Sequence, residues 1–356
     1  MWSTVGQEKA VALLGRCLER DRFPHAWLFV GPPHVGKMTL ARDVARALNC
    51  AGEQPPCGEC PACLRIEAGK HADVQVLSLE TASTLEGKPL TEIGIGQVRA
   101  LQHAASLPPF EGKHKVFIVD GAETLSIEAA NCLLKTLEEP AGQVAFILLT
   151  GNEALLPETV VSRCLRVDVL PLPAAKIEQA LLAHSVPPER ARILARLAKG
   201  CLGWALGAGD ETLLEHRREQ LDELAGVVSG DTEARFAFAG QLATRFSQNR
   251  QLVHDRLDLW LDWWRDLLLV KTGLEAAVTS IDRLEELRRM APGFTVAQVR
   301  AFMNSIQLTS AQLKQNANAR LALEVLMLSL PGAAAEAAAA TASIPSRPVP
   351  GVRGVR

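Results

Sequence analysis

Apolar residues in this chain follow two rhythms, and the places where one gives way to the other mark the elements. Short unbroken apolar runs bounded by turn residues predict buried strands at Trp27 to Val30, Val74 to Leu77, His114 to Asp120 and Val144 to Thr150. The last of these lies between Gly142 and Gly151, and its continuous Val/Ile/Leu/Phe character is that of a strand covered on both faces of a parallel sheet. Between these runs the spacing becomes helical. Ala10, Val11, Leu13, Leu14 and Leu18 share one face of a first helix, Leu40 to Leu48 follows the first strand, Ile93 to Leu107 stops at Pro108-Pro109, and Asn131 to Glu139 stops at Pro140. A strand–helix alternation of this kind predicts an α/β core.

Beyond residue 169 the strand rhythm ends. Proline-bounded helical patterns around Ile177, Leu181, Ile193 and Leu197 predict a small helical domain over 169–208, and from Glu211 the chain reads as helix almost throughout. Leu257 to Lys271 is apolar nearly all round, so that helix is expected to be enclosed by others, with Trp260, Trp263 and Trp264 packing in its core. The last stretch, 332–356, is Ala-rich and then Pro/Gly/Arg-rich without caps, and predicts a disordered tail in which Arg347, Arg353 and Arg356 are solvated. The domain reading is therefore 1–168, 169–208, 209–331 and the tail.

Composition changes this picture little. The chain has 356 residues, 48% hydrophobic and 22% charged, with a net charge of −2, so nucleic-acid contact would need a local basic face. Arg99 and Lys135, on exposed helix faces, are the candidates. Met1 to Ala10 lacks the pattern of a signal peptide and no apolar run reaches spanning length, which gives the expectation of a cytoplasmic protein without membrane contact.

Two constellations carry chemistry. Gly31-Pro32-Pro33-His34-Val35-Gly36-Lys37-Met38-Thr39 lies between a strand and a helix and has the form of a phosphate-binding loop, in which backbone N–H groups and the lysine face phosphates. The residue after the lysine should offer a hydroxyl to Mg²⁺, and Met38 offers a thioether that suits so hard a cation poorly. Asp120, closing the third strand, is where a second nucleotide motif would hold Mg²⁺, but Gly121 stands where a water-polarising glutamate is expected, and Glu123 leaves the strand in another direction. The second constellation is Cys50, Cys57, Cys60 and Cys63, with turn-forming Gly58 and Pro61 between them. Four thiolates suit a structural tetrahedral zinc, with an iron–sulfur cluster or free thiols as the other readings. His71 reads as a polar residue ahead of a strand and His34 as a tolerated loop residue.

In sequence order, Val5-Gly6-Gln7, the phosphate loop, the four-cysteine insertion, Asn131 to Pro140 and Ser162-Arg163-Cys164 resemble the AAA+ subunits of bacterial clamp loaders. The C-terminal Trp263-Trp264-Arg265-Asp266 and Asn316 to Glu324 segments are similar to the collar of the same family. The resemblance, over about residues 1–331, implies an AAA+ core of P-loop type with an inserted zinc module at 50–63, a helical lid and an all-α collar. It implies a ring with gamma/tau and delta subunits that loads a sliding clamp onto primer–template DNA. Site by site, it implies ATP or ADP at Gly31, Gly36, Lys37, Thr39 and Asp120, zinc at Cys50, Cys57, Cys60 and Cys63, and an arginine finger at Arg163 reaching a neighbouring subunit's γ-phosphate. It also places Gly203 where active loader ATPases carry an arginine. With Met38, Gly121 and Gly203 all departing from the catalytic pattern, the expectation is a subunit that does not hydrolyse ATP itself. The alternatives are an active gamma/tau-like ATPase and a zinc-bearing nucleic-acid-binding module.

Overall fold

The structure is a computed structural model that describes residues 2–19, 23–87, 90–139, 142–207 and 211–332. The expected tail from residue 333 onward, with Arg347, Arg353 and Arg356, and Pro140 lie outside the described residues. Contacts group the chain into two compact units, Met1–Gly209 and Asp210–Arg356.

The first unit is built on five parallel strands, β1 (Ala26–Val30), β2 (Val74–Leu77), β3 (Lys115–Asp120), β4 (Val144–Thr150) and β5 (Leu165–Asp168), in the order β2-β3-β4-β1-β5. In order through the first unit, its helices are α1 (Glu8–Glu19), α2 (Lys37–Asn49), α3 (Pro61–Glu67), α4 (Leu79–Glu86), α5 (Ile95–Ser106), α6 (Ile127–Glu138), α7 (Glu158–Val161), α8 (Ala174–Ala183), α9 (Pro188–Leu197) and α10 (Leu202–Gly207). Because side chains alternate along a strand, the sheet has two apolar faces. Trp27 and Phe29 of β1, Ile118 of β3 and Ile147 and Leu149 of β4 join Leu40, Val44 and Leu48 of α2 in one core. Leu28, Phe117, Val119, Phe146 and Leu148 face the other way onto Leu101 of α5 and Leu133 and Leu137 of α6. A parallel sheet covered on both faces explains the unbroken apolar runs, and the architecture is the α/β arrangement expected from the sequence, with the glycine-rich loop leaving the end of β1.

Strand order positions the site. β1 lies between β4 and β5, so the loop leaving its carboxyl end opens where neighbouring strands' loops diverge, the usual ligand crevice of open α/β sheets. Gly31 makes the exit possible, since a Cβ there would stand 2.2 Å from the carbonyl oxygen of Val169.

The second unit is helical: α11 (Glu211–Ser229), α12 (Thr232–Gln248), α13 (Arg250–Lys271), α14 (Leu284–Met290), α15 (Val296–Lys314) and α16 (Ala319–Leu328). α13 is enclosed as its apolar surround predicts. Trp260, Trp263 and Trp264 are buried, and the Trp264 ring meets Phe294 and Phe302 edge-on. Asp266, also buried, accepts from the Thr279 and Ser280 amides, tying the segment after α13 back to it. No helix among the described residues is long and apolar enough to cross a membrane.

Candidate nucleotide-type cleft, metal centre and surface arginine

The loop between β1 and α2 has the geometry expected of a phosphate cradle. Gly36 takes a left-handed backbone (φ 109°) just before α2, a conformation glycine adopts without penalty. The first amides of α2 therefore face outward at the positive end of the helix dipole. Gly36, Lys37, Met38 and Thr39 line a cleft of about 370 Å³ together with Asp120, Gly121, Glu123, Gly151 and Gly203. Lys37 is 8% exposed and its Nζ donates to the carbonyl oxygens of Gly31 and Pro32, at 2.7 and 2.8 Å. Burial pulls its ammonium below the ordinary lysine value, against the opposing pull of Asp120, Glu123 and Cys201. Burial pushes the Asp120 carboxyl up, with Lys37 opposing. Thus Gly36, Lys37, Thr39 and Asp120 are brought together, with Gly31 contributing its carbonyl to Lys37.

The three departures from the catalytic pattern each have a structural setting. Met38 lines the cleft beside Thr39. Gly121 follows Asp120 with φ 70°, a left-handed conformation that a glutamate adopts only with strain. Gly203, at the start of α10, lies directly on the phosphate loop, its N–H donating to the His34 carbonyl at 2.9 Å. The direction expected for Glu123 needs correcting. One turn of 3-10 helix, Ala122–Thr124, swings it back into the cleft, where its Oε1 accepts from the Gly151 amide at 3.1 Å and its Oε2 accepts no hydrogen bond. Only the strand–turn signal of Gly121 hinted at that reversal.

The four cysteines converge. Their sulfurs lie within 4.8 Å of one another, with Cys57 and Cys63 at 4.0 Å, close to the separation of about 3.8 Å that four thiolates take around one tetrahedral zinc. Backbone amides point at the sulfurs: Gly52 and Cys57 at Cys50, Cys60 at Cys57, and Cys63 at Cys60. Such donors favour thiolate, and the amides of Ala51 and Cys63 draw the Cys60 thiol down to about 6. Burial pushes Cys63 up to about 12 in the same cluster. Holding the buried Cys63 as a thiolate therefore calls for a positive charge at the centre, and the donor set fits one tetrahedral ion. His71 is not in the cluster. It is buried beside Asp73, whose amide donates to its Nδ1 at 3.2 Å.

Arg163 is outside the cleft lining. It sits in the turn between α7 and β5, with its side chain 33% exposed and held by Glu138 and the Thr159 carbonyl. Arg99 on α5 and Lys135 on α6 are exposed.

The family described as "DNA polymerase III, delta subunit" matches residues 6–173. DNA polymerase III subunit delta' of Pseudomonas aeruginosa is 31% identical over 325 residues, covering 88% of this chain and 94% of that one. The chain belongs to the delta-prime family. The Bacillus subtilis delta' subunit is 29% identical over 326 residues, covering 91% of this chain and 96% of its own length. Family membership accounts for residues in both units, since these alignments run well past the phosphate cradle and the cysteines. DNA polymerase III subunit tau of Escherichia coli is 27% identical over 352 residues, but that match spans 52% of tau. This chain thus aligns over about nine-tenths of its length with nearly the whole of these delta' subunits, and with only about half the length of tau.

Proposed function

We propose that this chain is a non-hydrolysing structural subunit of the replicative clamp loader, and that Arg163 serves as an arginine finger toward a neighbouring subunit's ATP. The observation that carries the reading is the contact of Gly203 with His34. Where an active loader would extend an arginine over the phosphates, this chain presses backbone on backbone. Met38 and Gly121 remove two further catalytic contributions, metal ligation and water polarisation. Backbone cradling of phosphate does not depend on either, so the cleft retains the means to hold ATP or ADP without cleaving it.

The domains of this reading are the AAA+ core, 1–168, the lid, 169–208, and the collar, 209–331. The collar would join gamma/tau and delta subunits in a ring. Leu321, Val325 and Leu328 favour this, because they recur along one face of α16 while each remains more than half exposed. Sliding clamp and primer–template DNA would be met through the assembled complex. Cys50, Cys57, Cys60 and Cys63 would hold a structural zinc that fixes the insertion after α2.

The test is kinetic. The purified chain should show no ATP turnover, and Arg163→Ala should abolish hydrolysis by the reconstituted complex without disturbing its assembly. One observation favours an active ATPase as the second reading: Glu123 lines the cleft with one oxygen accepting no hydrogen bond. That reading requires brisk turnover by the isolated chain that Glu123→Gln and Lys37→Ala both remove.

A further inference from the structure

Resting on the reading of Arg163 as a finger, we propose that Glu138 is its positioning residue. Glu138 is the last residue of α6, where a carboxylate meets the negative end of the helix dipole and gains from a cation nearby. Arg163 supplies that cation from 25 residues further on in the chain. Its Nε donates to Glu138 Oε1 at 2.7 Å, its Nη2 pairs with the same oxygen, and its Nη1 donates to the Thr159 carbonyl at 2.8 Å. A guanidinium carries five N–H groups in one plane. Two are hydrogen-bonded, Nε–H to Glu138 and one N–H of Nη1 to the Thr159 carbonyl, while Nη2 is in ion-pair contact, which leaves N–H groups on both terminal nitrogens for the oxygens of a phosphate.

This grip sets orientation more than stability. The side chains are 33% and 48% exposed, and ion pairs so open to water contribute little to folding. What the pair removes is rotamer freedom in a long side chain that must otherwise be ordered when the neighbouring subunit arrives. With Thr159 fixing one nitrogen and Glu138 two, the plane of the guanidinium is set before any phosphate is met. Glu138 would touch neither the nucleotide nor the attacking water and acts through Arg163 alone.

The experiment uses the complex reconstituted from the full chain with the tau-type and delta subunits of its source, and compares Glu138→Ala, Glu138→Gln and Arg163→Ala in ATP hydrolysis. Size-exclusion chromatography checks assembly of each. Glu138→Ala is expected to lower kcat about tenfold with KM within about twofold, the signature of a misplaced transition-state group. Glu138→Gln should recover most of the loss, because its amide oxygen still accepts from Nε. Hydrolysis by Glu138→Ala at or above the unsubstituted rate, while Arg163→Ala is inactive, overturns the inference. A Glu138→Gln complex as slow as Glu138→Ala does the same, since orientation is then not what the residue supplies. If Arg163→Ala itself hydrolyses normally, it is the finger reading that falls.

Discussion

The amide of Gly203 donates to the carbonyl oxygen of His34 at 2.9 Å, and a Cβ on Gly203 would stand 2.8 Å from that same oxygen. Both partners are backbone, and His34 is already held at φ 60°, so neither can rotate aside as a side chain would. Gly203→Arg should therefore lower stability by about 1–3 kcal/mol and leave the chain without ATP turnover. Chemical denaturation and a steady-state ATPase assay check the two halves. An arginine variant as stable as the parent would mean that α10 and the loop are not locked together.

Gly121 makes a parallel case from dihedral angles instead of contact. At φ 70°, a glutamate in its place takes a left-handed backbone at a cost of about 1–2 kcal/mol. Gly121→Glu, alone or with Met38→Thr, is expected to lower the melting temperature and not to create an ATPase. Turnover appearing in the double variant would show that two side chains were all the cleft lacked.

How far the sequence revealed these features depended on whether they are local. The phosphate loop and β4 are legible because glycines and a continuous apolar run are enough to specify them, and the four cysteines because their spacing is itself the signal. β5 left no such mark: of Leu165 to Asp168 only Val167 is buried, as befits a short edge strand. α4 has no apolar stripe and owes its start to reciprocal hydrogen bonds between Ser78 and Thr81. Glu123 was misread because one left-handed residue and a single 3-10 turn reversed the chain. The pairing of Glu138 with Arg163 is tertiary, and no spacing rule points to it.

The cysteine cluster makes a prediction about metal removal. Elemental analysis of the full chain should find one zinc ion, and Cys63→Ser should lose it. Hydrogen exchange after chelation should rise between Cys50 and Glu67 while β1 and β4 stay protected, because the sheet's cores on both faces do not draw on the insertion's sulfurs. A brown preparation containing iron, or exchange unchanged by chelation, would sink the structural-zinc reading.

Asp73 links pH to the same region. Its buried carboxylate accepts from the amides of Phe110, Glu111 and Gly112 at 2.7, 2.8 and 2.7 Å. Burial alone would raise its pKa, but these three donors and His71 outweigh burial and bring it below the ordinary value of 3.8. A depressed folded pKa contributes stability that is complete above the unfolded value and is lost as pH falls through the folded one. Asp73→Asn turns one acceptor oxygen into a donor group and should cost about 1–3 kcal/mol at neutral pH. In denaturation experiments across the acid range, the gap between parent and variant should be flat above about pH 5 and narrow below about pH 4. A gap that stays constant into strong acid would rule out the carboxylate as its source. The same loop also anchors the insertion: Lys113 donates to the Cys50 carbonyl at 2.6 Å, and the His114 amide donates to Asn49 at 3.0 Å. Asp73→Asn should therefore speed zinc loss to a chelator at neutral pH, measured by a colorimetric metal indicator, although Asp73 touches none of the four cysteines.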